Sequence, residues 1–145
     1  MDREAAAEIF TRVLADNYIV AGFDEILDTL SDPSAGGFLA KDYVEPSRWF
    51  NALDREGQEH VKFLVREGLL SALHGVLVLA DGATGAIEIN DKIGALKLDV
   101  LIYNDDDEGV VGEPIEKITL APTETGMDLH DLFMSHVDEV FPATT

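Results

Sequence analysis

Cysteine is absent from the 145 residues of the chain. The absence excludes disulfide bonds, thiolate metal sites and a cysteine nucleophile, and it agrees with a reducing compartment. The first residues are charged from Asp2 onward, so the amino terminus does not resemble a signal peptide, and no lipid anchor is indicated. We therefore expect a cytoplasmic protein.

Basic residues are also scarce. The chain has 10 lysines and arginines against 29 aspartates and glutamates, which gives a formal net charge of −19 at pH 7. From residue 98 to the end, 12 acidic residues face a single base, Lys117. Because this charge repels phosphates and anionic lipids, direct binding to nucleic acid or to a membrane is disfavoured. A basic protein partner would be attracted.

Long uncharged segments are missing as well. The longest, Gly68–Ala80, is shorter than the about 20 residues that a helix needs to cross a bilayer. Apolar residues recur at helical spacing over Glu59–Ala80, and both faces are apolar after Leu69. The pattern predicts the central helix of a hydrophobic core, with Leu73 and Val76 fully buried.

The sequence also predicts how this helix begins and packs. Asp54 is a suitable N-cap, which places the start of the helix near Arg55. A stripe of small residues predicts that a neighbouring helix crosses closely. The stripe consists of Gly68, Ala72 and Gly75.

Helical spacing recurs near both ends of the chain. Residues 2–31 predict one or two helices, with Gly22 as the candidate end of the first. Asp128 predicts the N-cap of a last helix, with Asp131 completing a capping box. The expected buried face of the first helix is Ile9, Phe10, Val13, Leu14, Asn17, Tyr18 and Ala21, and that of the last helix is Leu129, Leu132, Phe133, His136, Val137 and Val140.

Between the helical segments, apolar residues alternate with polar ones in a way typical of strands. The alternation covers 87–89, 96–103 and 118–120. Short connections favour an antiparallel meander of three strands. We therefore predict an α+β fold in one domain over 1–145, with amino-terminal helices around the central helix, the meander, and a carboxy-terminal helix.

Motifs that would identify an enzyme or a cofactor site are not found. Gly82 and Gly85 lack the spacing of a phosphate loop, and the serines lack the glycines of a nucleophile elbow. Neither an enzyme nor a cofactor is therefore predicted.

The histidines do not predict a metal site. On one helix, His60 and His74 would lie about 21 Å apart, which is too far for a shared ion. Adjacent helical residues point apart, so His130 and Asp131 are not expected to act as an acid–base pair by themselves. His136 falls on the apolar stripe of the last helix and is expected in the core.

The acidic segment Asn104–Gly109 resembles the first half of a calcium loop. The twelfth position, which should hold a bidentate acid, is Ile115, and Pro114 precedes it. We predict an exposed turn without a structural ion.

Three interpretations of the acidity remain open. In the first, the protein is a small acidic binding or inhibitor protein that masks a basic partner, in the manner of an immunity protein or a DNA mimic. In the second, it is a soluble domain adapted to high salt, and in the third, an enzyme whose site the sequence hides. The oligomeric state is left open. The candidate contact residues are Asp105, Asp106, Asp107, Glu108, Asp128, Asp131, Asp138 and Glu139.

Overall fold

The computed structural model describes residues 1–35, 40–82, 87–89, 92–94, 96–103, 113–122 and 126–141. It is mostly helical with short antiparallel strands, which confirms the mixed α and β class. The helices are α1 (Arg3–Leu14), α2 (Ala21–Ser31), α3 (Val44–Ala52), α4 (Arg55–Ala80) and α5 (Leu129–Val140), with a π-helical turn at Ala15–Val20 and 3-10 turns at Pro33–Ala35 and Ala40–Tyr43.

The chain divides into two compact units. Unit 1 consists of Met1–Arg12 and His74–His136, and unit 2 consists of Val13–Leu73 and Val137–Thr145. The expectation of a single domain remains a prediction.

Four strands are described, and they form two separate antiparallel pairs. β1 (Ile87–Ile89) pairs with β2 (Lys92–Gly94), and β3 (Leu98–Ile102) pairs with β4 (Glu116–Ala121). Among the described strands, the predicted three-stranded meander is therefore not found. A two-residue connection favours pairing between immediate neighbours, and in the register Ile89 lies opposite Lys92. The alternation did not indicate β2, because Lys92–Gly94 contains a single large apolar residue, Ile93, and so shows no alternation.

The first helical run is continuous from Arg3 to Ser31, and Gly22 lies inside α2 rather than at a helix end. The predicted buried face is wrong, because Ile9, Val13 and Tyr18 are more than 40% exposed. The buried side chains of this segment are mostly small, and four of them lie at intervals of four residues. These four are Ala7, Thr11, Ala15 and Ile19, and Ala6 is buried beside them.

Thr11 can be buried on this face because its hydroxyl donates to the carbonyl oxygen of Ala7 at 2.8 Å. A hydroxyl satisfied by its own helix carries little desolvation cost. The hydropathy pattern therefore predicted the wrong buried face, because most residues of the true one are alanine or threonine.

Helix α4 has the predicted bounds. It begins at Arg55, and the Asp54 carboxylate accepts a hydrogen bond from the Gly57 backbone N–H at 2.8 Å, so the N-cap is confirmed. It ends at Ala80, where the Asp81 N–H still donates to the Leu77 carbonyl and Gly82 adopts a φ of +76°. Glycine tolerates this left-handed conformation, which terminates the helix.

The predicted burial of α4 is wrong. Val76 is 59% exposed and Leu73 is only half-buried. The buried residues of the helix are Leu70, Leu77 and Ala80. Their spacings of seven and three residues place them on one narrow side of the helix. A uniformly apolar sequence gives no preference for one side, so only the packing of other elements decides which residues are covered.

The opposite side of α4 is exposed and includes the stripe of small residues. A Cβ atom added at Gly68 or Gly75 would meet nothing within 4 Å. Ala72 is also exposed, as is Leu64 at 67%. The described residues thus place no helix against this stripe, and the predicted close crossing is wrong for that part of the chain.

Unit 1 has a core built from its sheet and from α5. Ile118, Leu120 and Ala121 of β4 are buried, as are Leu129 and Phe133 of α5. The predicted strand at 118–120 and most of the predicted face of α5 are therefore confirmed.

Unit 2 is held together at the end of the chain by Phe141. The guanidinium of Arg66 donates to the Phe141 carbonyl at 2.7 Å and lies 5.1 Å from the ring centroid. The Phe141 ring also meets Phe23 edge to face at 4.8 Å. These contacts hold a half-buried arginine over the face of the Phe141 ring, where a cation is stabilised.

Candidate functional site

The predicted contact residues fall into two groups. The first group lies outside the described residues, as does the whole Asn104–Gly109 turn, and consists of Asp105, Asp106, Asp107 and Glu108. The others lie on α5 or just before it. Asp131, Asp138 and Glu139 are exposed, and Asp128 is half-buried.

These acids share the outward side of α5. Asp131 and Asp138 are seven residues apart, which is two helical turns. The buried side chains Leu129 and Phe133 occupy the other side of the same helix. Ordinary amphipathic spacing thus separates an apolar side from an acidic side that solvent reaches.

A carboxylate from a distant part of the chain caps the amino-terminal end of α5. Asp81 Oδ2 accepts a hydrogen bond from the backbone N–H of His130 at 3.0 Å. Asp128 directly precedes the first helical residue, and its carbonyl accepts from the Leu132 N–H at 3.1 Å, so the predicted N-cap position is confirmed. The Asp128 side chain makes no capping bond in the described structure, so the predicted capping box is not found there. Asp81 supplies the capping carboxylate instead, because the end of α4 brings it to the free N–H groups of the first turn.

The same carboxylate orients the His130 ring. Asp81 Oδ2 lies 2.8 Å from His130 Nδ1, and the Asp81 side chain is only 1% exposed. An ionised carboxylate only accepts, so Nδ1 must carry the proton and the neutral ring presents its lone pair at Nε2. His74 supports the ring edge to face, with 5.5 Å between centroids.

The other ring nitrogen of His130 lies near a second carboxylate. Nε2 lies 3.6 Å from Asp131 Oδ1. One potential ligand atom each from Asp128, His130 and Asp131 lie within 4.8 Å of one another. A histidine whose tautomer is fixed by a buried carboxylate can accept a proton or ligate a metal ion.

Sequence reasoning missed this cluster for a physical reason. The partner of His130 is Asp81, 49 residues away, and the Asp81-Gly82 pair was interpreted only as a turn. His130 and Asp131 were expected to point apart, yet Nε2 of His130 and the carboxylate of Asp131 are within ion-pair distance.

His136 is 5% exposed, as predicted, and its Nε2 lies 3.4 Å from Glu8 Oε1.

A second ionic cluster lies on the β3–β4 sheet. Asp99 Oδ2 is 2.8 Å from Lys117 Nζ, and Asp99 Oδ1 accepts a hydrogen bond from the Thr119 hydroxyl at 2.7 Å. The Lys117 ammonium, then the Thr119 hydroxyl, and less strongly the Lys97 ammonium lower the pKa of Asp99 to about 2. Lys117 and Thr119 reach Asp99 from the paired strand, so the cluster stabilises the sheet.

A small cavity lies beside α1. Its volume is about 340 Å³, and it is lined by Arg3, Glu4, Glu8, Met127 and Leu132. Arg3 donates through Nε to the Leu120 carbonyl and through Nη1 to the Met127 carbonyl, both at 3.0 Å. These bonds to backbone oxygens give the arginine a structural role in joining α1 to the segment before α5.

No protein family, curated protein or solved structure matches the chain. Among the described residues one helix, Arg55–Ala80, is long and apolar enough to cross a membrane, with 17% of its most apolar window buried. A single such helix is weak support for a membrane span, because core helices of soluble proteins pass the same test.

Proposed function

We propose that the protein is a small acidic binding protein that masks a basic protein partner, as an immunity protein or a DNA mimic does. The observation that supports this proposal is the contrast between α5 and the helices α3 and α4. On α3 and α4, carboxylates are neutralised by nearby bases, in the pairs Glu45–Arg48, Glu59–Lys62 and Glu67–Arg66. Asp128, Asp131 and Asp138 have no lysine or arginine partner among the described residues.

Unneutralised carboxylates of one sign produce a local field that attracts a basic surface. In addition, the net charge of −19 adds a long-range attraction. Such fields raise association rates and fix the orientation of the encounter, while exposed charges at the edge of a contact contribute little to dissociation. The outward side of α5 is therefore the described surface on which a basic partner would dock.

The test compares two triple variants that change the net charge equally. The first is Asp128→Asn with Asp131→Asn and Asp138→Asn, and the matched control is Glu45→Gln with Glu59→Gln and Glu67→Gln. Association is measured by surface plasmon resonance against the basic protein recovered from host extract at low ionic strength, with a chelator present throughout. We expect the α5 variant to associate several-fold more slowly and with a flatter salt dependence than the control.

Two outcomes would contradict the proposal. Equal slowing by both variants would mean that only the global charge steers, and that α5 is not the contact surface. Failure to recover a basic partner at any ionic strength would favour the salt-adapted domain. The acids at Asp105, Asp106 and Asp107 remain predicted contact residues, and the same measurement applies to their triple asparagine variant.

A further inference from the structure

The side chains at the start of α5 form a ligand set rather than a simple acidic patch. It combines one imidazole nitrogen with two carboxylates, contributed by His130, Asp128 and Asp131, whose ligand atoms lie within 4.8 Å of one another. When ligand atoms lie about 2.0–2.2 Å from a metal ion, neighbouring ligand atoms are about 3–4 Å from one another. The 3.6 Å between His130 Nε2 and Asp131 Oδ1 already falls in this range.

Asp81 provides a second and independent observation. Its side chain is 1% exposed, and its carboxylate reaches into the cluster, where Oδ2 holds His130 Nδ1 at 2.8 Å. Its other oxygen, Oδ1, is buried and has no hydrogen-bond partner within the part of the chain that the structure describes. Metal-binding histidines are commonly oriented in this way by a carboxylate on the far ring nitrogen, which also makes the ligating nitrogen more basic.

Charge favours a cation at this position. Asp81, Asp128 and Asp131 bring three carboxylates together, and none of them pairs with a lysine or arginine among the described residues. The positive end of the α5 dipole opposes a cation, but it amounts to only about half an elementary charge. Three carboxylates outweigh it.

We propose that Asp128, His130 and Asp131 bind a divalent transition-metal ion, with Asp81 as the positioning residue for His130. An imidazole nitrogen with carboxylate oxygens suits Zn²⁺ or Mn²⁺ better than Ca²⁺ or Mg²⁺, which prefer oxygen ligands alone. The site shares Asp128 and Asp131 with the proposed contact surface, but its test does not depend on the partner, because metal binding is measured on the isolated chain.

The experiment is isothermal titration of the full chain with ZnCl₂ and with MnCl₂. The variants are His130→Asn and Asp131→Asn, and the controls are His60→Asn and Asp138→Asn, which make the same chemical changes outside the cluster. We expect one saturable site that the cluster variants weaken at least tenfold and the controls leave unchanged. Equal affinity in all four variants, or binding without saturation, would mean diffuse attraction to the acidic surface and would overturn the proposal.

Asp81 is tested separately, because its loss removes the cap of α5 and could unfold the helix. Asp81→Asn keeps the shape of the side chain, and we expect it to weaken Mn²⁺ binding by about 10–100-fold, with the helical content checked by circular dichroism. On the unmodified chain, Mn²⁺ should broaden the NMR signals of the His130 ring before those of His60. Broadening of both histidines at the same Mn²⁺ concentration would contradict the assignment regardless of how the variant folds.

Discussion

Single side chains from distant positions determine the polar clusters of unit 1. One oxygen atom of Asp81, Oδ2, contacts both the backbone N–H and the ring Nδ1 of His130. Arg3 bridges two backbone carbonyls more than a hundred residues away. Local patterns contain no information about such pairings, because each partner is an ordinary turn or helix residue until the chain has folded. The sequence therefore indicated that His130 lies beside an acid, but it could not indicate which acid would hold the ring.

Asp99 gives a residue-scale prediction about pH. Its pKa is lowered from 3.8 to about 2, so the unfolded chain takes up the proton at a higher pH than the folded chain. The stabilisation by Asp99 is therefore complete above about pH 4 and is lost as the pH falls toward 2. We expect Asp99→Asn to flatten the fall in melting temperature across this window.

The measurement that isolates the cause is an NMR titration of the Asp99 carboxyl carbon. Lys117→Gln removes the largest contribution, so we expect it to raise the pKa of Asp99. A native Asp99 that titrates near 3.8 would show that the Lys117 contact does not persist in solution.

Gly126 gives a second residue-scale prediction. Its φ is +91°, and an added Cβ would lie 2.9 Å from Arg3 Nη1. We expect Gly126→Ala to destabilise the fold by about 1–2 kcal/mol, because the left-handed region disfavours a side chain. Chemical denaturation provides the measurement. The control is Gly68→Ala in α4, where the Cβ meets nothing and where alanine should stabilise the helix by up to about 1 kcal/mol. Equal effects at both glycines would disprove the backbone argument.

At the scale of whole elements, α4 differs most from what its sequence indicates. Its start, its N-cap and its end were predictable, because each depends on a local signal such as Asp54 or Gly82. Its burial was not predictable. Helical spacing identifies apolar residues, but when they occur on every side, it cannot identify which of them other elements will cover. The α5 face was predicted well because its apolar residues are confined to one side.

A pair of adjacent residues tests this description of α4. Leu77 is 2% exposed and Val76 is 59% exposed. We expect Leu77→Ala to cost about 2–5 kcal/mol, because it leaves a cavity in a packed site. Val76→Ala should change the stability by less than about 0.5 kcal/mol, as at an ordinary surface position. Both values come from urea denaturation at one pH. Similar losses at the two sites would indicate that the exposed side of α4 is covered in solution.

For the whole molecule, the net charge of −19 dominates the response to salt. Self-repulsion among the acids destabilises the compact state, and salt screens it over a Debye length of about 10 Å at 0.1 M. We expect the melting temperature to rise modestly as salt is added from near zero and then to level off. A calorimetric series in sodium chloride measures this. Unfolding as salt approaches zero would contradict a mesophilic binder and favour the salt-adapted alternative.

The π-helical turn at Ala15–Val20 has a consequence for how the chain tolerates changes of length. There the N–H of Ala21 donates to the carbonyl of Asp16, five residues back. In an α-helix it would donate to the carbonyl four residues back. The turn therefore holds one residue more than a regular ladder requires, and Asp16, Asn17 and Tyr18 are exposed between the buried Ala15 and Ile19. Deleting Asn17 should convert the turn to α-helix and leave Ala15 and Ile19 buried. Among homologues, alignment gaps of one residue should therefore concentrate at this turn.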